Sequence, residues 1–354
     1  MSSTKTDIDL TTSNLWTDII VIRLSAMGDV AIVVPVLRVL VKRYPELKVT
    51  MVSRAFFKPL FDDIPNVTFY DADVKETHKG VLGLHKLSKE LKKLKPNKIA
   101  DLHNVLRSKM LRFFLVGIKN VVIDKGRAEK KALTRPENKV FKQLKSSHER
   151  YADVFRKLGY PIDLENPVFP SKKDLTDIPF PWGRVRDGKW IGIAPFAQHQ
   201  GKMYPLDLMG KVIEQLVKSN NYKIMLFGGG ADEIKVLSKL ENRFENTISV
   251  AGKLDFKEEL ALISNLDGML SMDSANGHLA AMQGVKTITV WGVTHPYAGF
   301  TPFNQPMEHQ ILPDFEKYPK LPCSIYGNKV FEGYGDVMRS IKPQTVVDKI
   351  EELI

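Results

Sequence analysis

Cysteine is almost absent from this sequence: Cys323 is the single one in 354 residues. That excludes an intrachain disulfide and a metal centre built on several thiolates, and it fits a reducing compartment. Long apolar runs are missing too, since none approaches the roughly 20 residues needed to cross a bilayer. The opening MSSTKTDIDLTTSNLWTD is polar and lacks an apolar h-region, so no secretory signal is expected. The first strand–helix turn, LSAMGD, lacks the G-x-G-x-x-G spacing of a dinucleotide fingerprint. A chain with these gaps is expected to be cytosolic or peripheral to a membrane.

What is present is basic charge, and it is unevenly placed. The formal net charge is +11, yet residues 1–180 hold 33 Lys and Arg against 21 Asp and Glu, whereas residues 181–354 hold 19 against 20. The excess lies wholly in the first half, which points that half toward an anionic partner. Stretches such as KELKKLKPNK also read simply as solvated helix faces.

Apolar strand patterns alternate with helical ones along the chain. DIIVIRL, KVTMVS, VTFYDA, NKIADLH and NVVIDK read as strands in the first half, and KWIGIAPF, YKIMLFG, TISVAG, LDGMLSMD and KTITVWG in the second. The helices between them imply crossover connections and parallel sheets. The proline-rich PIDLENPVFPSKKDLTDIPFPWGRVRDGK separates the two sets. The expected organisation is a first α/β domain over 1–160, a linker over 161–188, a second over 189–340 and a closing helix over 341–354, with Pro343 at its start. Ligands of such sheets sit beyond the carboxyl ends of the strands, so two facing domains share a cleft.

Four segments at those strand ends carry chemistry. In SAMGDV, Asp29 either caps the following helix or serves as a general base toward an attacking hydroxyl. In APFAQHQGKMYP, Lys202 is either a surface lysine or a phosphate ligand ahead of a helix. In FGGGADE, the glycines permit close backbone approach, and Glu233 either complements the helix dipole or holds ribose hydroxyls. In SMDSANGHLAAMQG, Asp273 can accept from sugar hydroxyls, the amides from Ser274 onward can meet an anion, and His278 is a core histidine or a ligand contact. Each segment is ambiguous alone; together they supply a base plus nucleotide and phosphate contacts.

The stretches IIVIRLSAMGDVAIVVPVLRVL and LDGMLSMDSANGHLAAMQGVKTITVWGVTHP resemble the two signature regions of glycosyltransferase family 9, the ADP-heptose:lipopolysaccharide heptosyltransferases and their relatives. The resemblance implies an α/β GT-B architecture: two Rossmann-like domains with parallel sheets facing a central cleft, the acceptor on the first and the nucleotide sugar on the second. It implies an inverting transfer of heptose from ADP-L-glycero-β-D-manno-heptose to the Kdo- and heptose-bearing inner core on lipid A, with no metal and no other cofactor. Asp29 falls on the family's proposed base, Lys202 on its diphosphate contact and Asp273 on its donor-sugar acid. Ser274, Ala275 and His278 fall in the donor loop, and Glu233 on the nucleoside contact. Many members have Gly where Ala275 stands, which leaves the donor sugar open. For the acidic glycolipid acceptor, the basic spans HNVLRSKMLR and DKGRAEKKALTRP offer Arg107, Arg127, Lys130 and Arg135. The implied setting is the inner face of an anionic cytoplasmic membrane. Rival readings are a relative using another nucleotide sugar, a nucleotide-sugar epimerase of the same architecture, a catalytically retired binding module, and a basic nucleic-acid-binding protein. The last has no nucleic-acid motif in its favour.

Overall fold

The apolar run IIVI forms strand β1 (Ile19–Ile22), with every residue buried. It pairs in parallel with β2 (Val49–Ser53) and with β4 (Lys98–Asp101), while β3 (Val67–Asp71) and β5 (Lys119–Val122) flank them, giving the order β3-β2-β1-β4-β5. A strand covered on both faces by helices reads as continuous hydrophobicity, and the outer β3 and β5 are correspondingly less buried. The computed structural model describes residues 17–176, 178 and 188–354. The opening segment read for a signal therefore lies almost wholly outside the described residues, as does part of the expected linker.

Helices connect the strands as the periodicity predicts: α1 (Met27–Arg43), α2 (Gly80–Lys93), α3 (Leu106–Phe114) and α5 (Ser147–Lys157). Helix α4 (Arg127–Leu133) lies inside the basic span and was not predicted. It is short, and its four charged residues of seven leave no apolar stripe to read. The connections β3→β4 and β4→β5 both run toward the β5 edge. Right-handed crossovers therefore put α2 and α3 on one face of the sheet. There Leu84, Leu87, Leu91, Leu111 and Leu115 pack with Ile20, Ile22 and Ile99.

The second sheet contains β6 (Lys189–Ala194), β7 (Tyr222–Leu226), β8 (Thr247–Ser249), β9 (Gly268–Met272), β10 (Lys286–Val290) and the two-residue β11 (Gln310–Ile311), in the order β11-β10-β9-β6-β7-β8 and parallel throughout. Helices α6 (Leu206–Lys218), α7 (Ala231–Arg243), α8 (Phe256–Ser264), α9 (Ala275–Ala281) and α10 (Pro343–Leu353) accompany it. Helix α8 starts on a capping box: Glu258 N donates to Asp255 Oδ1 at 2.8 Å, and Asp255 N to Glu258 Oε2 at 2.7 Å. Helix α10 starts on Pro343, whose missing N–H costs nothing there. The α/β class and the paired parallel sheets match the sequence expectation.

The compact units do not follow chain order. One comprises residues up to Ser25, Leu37–Ile123 and Tyr151–Asp163; the other comprises Ala26–Val36, Asp124–Arg150 and Leu164–Ile354. The first turns of α1, with Asp29, and the segment carrying α4 thus belong to the second unit.

Candidate active site

Strand order in the second sheet reverses between β6 and β9, the place where an open α/β sheet leaves a crevice beyond its strand ends. The chain leaving β6 passes Phe196–Gln198 and makes a tight turn over Gln200–Lys202; the chain leaving β9 passes Asp273 and Ser274 into α9. Between these ends lies a cavity of about 350 Å³, lined among others by Asp29, Gln198, Lys202, Glu233, Asp273 and His278. All of its lining residues belong to the second unit.

Lys202 Nζ stands 3.0 Å from Asp273 Oδ2, and both side chains are nearly buried. The same carboxylate oxygen accepts from Thr294 Oγ1 at 2.9 Å. A buried charge persists only when paired and hydrogen-bonded, and these two contacts meet that requirement for Asp273. The turn bearing Lys202 is held against the end of β10, where Val293 N donates to Gly201 O at 2.9 Å. Glycine at 292 makes that approach possible, because a Cβ there would lie 2.2 Å from Gly201 O. Gly327 has φ +82°, and a side chain on it would come within 2.3 Å of Lys202 Cδ. The lysine stem therefore runs across a surface that only glycine leaves open.

Glu233 folds back on the glycine loop, its Oε2 accepting from Gly229 N at 2.8 Å. Asp29 is the third residue of α1, inside the first turn and half-buried. The preceding Gly28 sits against α9: a Cβ there would be 3.2 Å from His278 Cδ2 and 3.5 Å from Ala275 Cα. Glycine thus lets the start of α1, with its carboxylate, lie beside the start of α9.

His278 is buried, and desolvation lowers its pKa to about 4, against the opposing pull of Asp273 and Asp29. The imidazole is neutral at neutral pH, and its Nδ1 has no hydrogen-bond partner among the described residues. His148 lies behind it, with ring centroids 6.4 Å apart; burial and the neighbouring His278 hold its pKa down to about 3. Lys130, from α4, is buried as well. Its Nζ lies 4.1 Å over the Phe300 ring, and Phe300 lines the cavity. Burial and then Arg150 lower its pKa to about 8, while Asp29 and Glu129 pull the other way. Glu129 is itself paired with Arg150, so Asp29 and Lys130 lie within each other's field as opposite charges.

Of the residues predicted from the sequence, Asp29, Lys202, Glu233, Asp273, Ser274, Ala275 and His278 share the one cavity. Arg107 stands exposed in the first turn of α3, in the other unit. Arg127 opens α4 and Arg135 follows its end; both are exposed, and neither is among the lining residues. Lys130 is directed inward rather than to the surface. The sequence reasoning missed Gln198, Asn276, Phe300 and Tyr326 in the lining. Asn276 sits within a motif already singled out, but Phe300 and Tyr326 come from irregular segments with no periodicity to mark them. An Asp-x-Asp pair, Asp71 and Asp73, stands at the end of β3, against the expectation from the sequence that no such pair lies at a strand end. Backbone amides engage it: Ala55 N donates to Asp71 at 2.8 Å, and Glu76 N and Thr77 N to Asp73 at 3.2 and 2.9 Å. Among the described residues no group of three or more His, Cys, Asp or Glu could hold a metal ion, and no helix is long and apolar enough to cross a membrane.

The family model described as glycosyltransferase family 9 (heptosyltransferase) matches residues 84–326. The lipopolysaccharide core heptosyltransferase OpsX of Haemophilus influenzae is 25% identical over 281 residues, covering 78% of this chain and 79% of the relative. The crystal structure of a family 9 glycosyl transferase from Veillonella parvula superposes with a TM-score of 0.74 at 19% identity, covering 95% of this chain and 97% of that one. E. coli heptosyltransferase WaaC with ADP-2-deoxy-2-fluoro heptose superposes with a TM-score of 0.65 at 17% identity, covering 95% and 99%. At these identities the structural likeness establishes the shared fold.

Proposed function

The chain belongs to glycosyltransferase family 9, and from that premise we propose that it transfers a heptose from ADP-L-glycero-β-D-manno-heptose to a hydroxyl of the lipopolysaccharide inner core. One observation carries the reading: a half-buried carboxylate, Asp29, lines the same cavity as the Lys202–Asp273 pair and Glu233. The names of the relatives supply the sugar, since OpsX is a lipopolysaccharide core heptosyltransferase and WaaC is described with an ADP-heptose analogue.

In the proposed reaction the acceptor hydroxyl attacks the anomeric carbon, and its proton passes to Asp29. The new C–O bond forms on the face opposite the breaking one, so the anomeric configuration inverts. The bond to the diphosphate breaks with its electron pair on the departing ADP. Lys202 stands where that negative charge grows, with the amides at the start of α9 beside it, so the leaving group is stabilised by protein groups and no metal is required. Asp273 holds donor-sugar hydroxyls and Glu233 the ribose. Lys130, whose charge Asp29 supports, is buried beside the same cavity. The acceptor is an acidic glycolipid, which places the enzyme on the inner face of an anionic cytoplasmic membrane.

Mass spectrometry of products from a panel of ADP-, GDP- and UDP-sugars with truncated core acceptors tests the reading. ADP-heptose with a Kdo-bearing acceptor is expected to give a heptosylated product with inverted configuration, at a rate unchanged by EDTA. Acceptor-dependent product from another nucleotide sugar alone would instead support a family 9 transferase using a different donor.

A further inference from the structure

Residues 79–119 contain eleven Lys and Arg but two acidic residues, so this stretch accounts for most of the basic excess of the first half. Both acids are engaged within the fold. Glu90 accepts from Tyr70 Oη at 2.7 Å and contacts His78 Nε2 at 3.0 Å, while the fully buried Asp101 pairs with Arg112 at 2.9 Å. The surface made by α2 and α3 is therefore strongly positive.

That surface is also apolar where a soluble face has no reason to be. On α3, Ser108, Leu111 and Leu115 point into the core. The opposite side carries Leu106 and Phe113, two helical turns apart and 73% and 77% exposed, while Met110 packs against the core. Val116, just past the helix, is 79% exposed and Leu82 on α2 is 83% exposed. Leu82 shares the outward side of α2 with the exposed Lys86, Lys89 and Lys93. His85 on α2 meets Phe114 on α3 edge to face at 5.1 Å, joining the two helices into one face. Singly scattered exposed apolar residues mean little, but a row of them flanked by cations on one face has the chemistry of an interfacial anchor.

We infer that the α2–α3 face of the first unit docks on an anionic phospholipid bilayer, with Leu82, Leu106, Phe113 and Val116 entering the headgroup–acyl boundary and the lysines meeting lipid phosphates. The charge excludes an apolar or basic partner, and the protruding apolar row distinguishes a bilayer from a soluble polyanion. The inference deepens the membrane setting proposed above. It is tested without donor or acceptor, so its failure and that of heptosyl transfer are told apart.

The experiment is co-sedimentation of the full chain with phosphatidylcholine vesicles, with and without phosphatidylglycerol. Binding is expected to need the anionic lipid and to fall as salt is raised. Lys86→Gln, Lys89→Gln and Lys109→Gln together should weaken it about a hundredfold, roughly fivefold for each basic residue removed. Leu106→Ser with Phe113→Ser should weaken it about tenfold or more. The lysine variant changes only exposed side chains, so the test stands even where the apolar variant fails to fold. Absence of binding to anionic vesicles, or binding undiminished in both variants, would overturn the inference. So would duplex DNA binding that is unaffected by the serine substitutions and occurs without vesicle binding.

Discussion

The two parallel sheets reach the same kind of switch point and treat it in opposite ways. In the first, between β1 and β4, the polar groups bind one another. Arg23 Nη1 donates to Leu102 O at 2.8 Å, Ser53 Oγ to Arg23 O at 2.6 Å, Arg54 Nε to Leu24 O at 3.0 Å, and Leu24 N to His103 Nδ1 at 3.3 Å. The Asp101 carboxylate accepts from two backbone amides and from Arg112 Nε. In the second, between β6 and β9, the charged groups line a cavity, with Lys202 and Asp273 paired at its wall. The same topology thus carries a stitched seam in one unit and lines a cavity in the other. What differs is whether strand-end side chains find partners in the backbone or present their charge to a cavity.

The largest effect is expected at Asp29, the proposed base. Asp29→Asn should lower acceptor-dependent ADP release by about 1,000-fold, the scale of a lost general base, while leaving ADP affinity by calorimetry near wild type. Full turnover in this variant would remove Asp29 from the chemistry. In the stitched seam the cost should be structural instead. Asp101→Ala removes a fully buried acceptor of two amides and an arginine, so urea melts should show a loss of about 3 kcal/mol, with donor affinity kept. Impaired donor binding without lost stability would break the comparison. Lys202→Ala should lower kcat/KM for the donor about 100-fold, and because the nearly buried Asp273 then keeps Thr294 but loses its cation, some stability should fall with it.

The smallest effect concerns pH. His148 and His278 have folded pKa values of about 3 and about 4, both below that of an unfolded histidine. Above the unfolded value both states hold neutral rings and these residues add no pH dependence. As pH falls toward the folded values, the unfolded chain takes up protons that the folded one refuses, so stability declines across that window and the loss is complete below it. NMR titration should show both rings uncharged at pH values where exposed histidines are protonated. His148→Phe, against the neighbouring Phe303 ring, should flatten the acid limb of the thermal melts by its share. An unchanged limb would place the acid sensitivity elsewhere.

Much of this architecture is legible in the sequence. Buried strands such as Ile19–Ile22 and Gly268–Met272 are apolar runs, and α6 and α10 show their periods and end signals plainly. The strand-end positions of Asp29, Lys202, Glu233 and Asp273 followed from the same reading. Helix α4 and the irregular segments bearing Phe300 and Tyr326 did not, because a short polar helix and a loop carry no repeating pattern. Nor was it visible that Lys130, one of several lysines in a basic span, turns inward over Phe300 while Arg127 and Arg135 stay outside.

The sequence by itself determined the alternation of strands and helices, the parallel sheets and which residues stand at strand ends, because these depend on local side-chain periodicity and turn chemistry. Only the tertiary structure decided that Lys202 pairs with Asp273, that Gly28 brings Asp29 beside His278, and that α2 and α3 share one charged, apolar face. Such contacts join residues far apart in the chain. They are selected by packing and by the cost of leaving a charge unpaired, which no local pattern records.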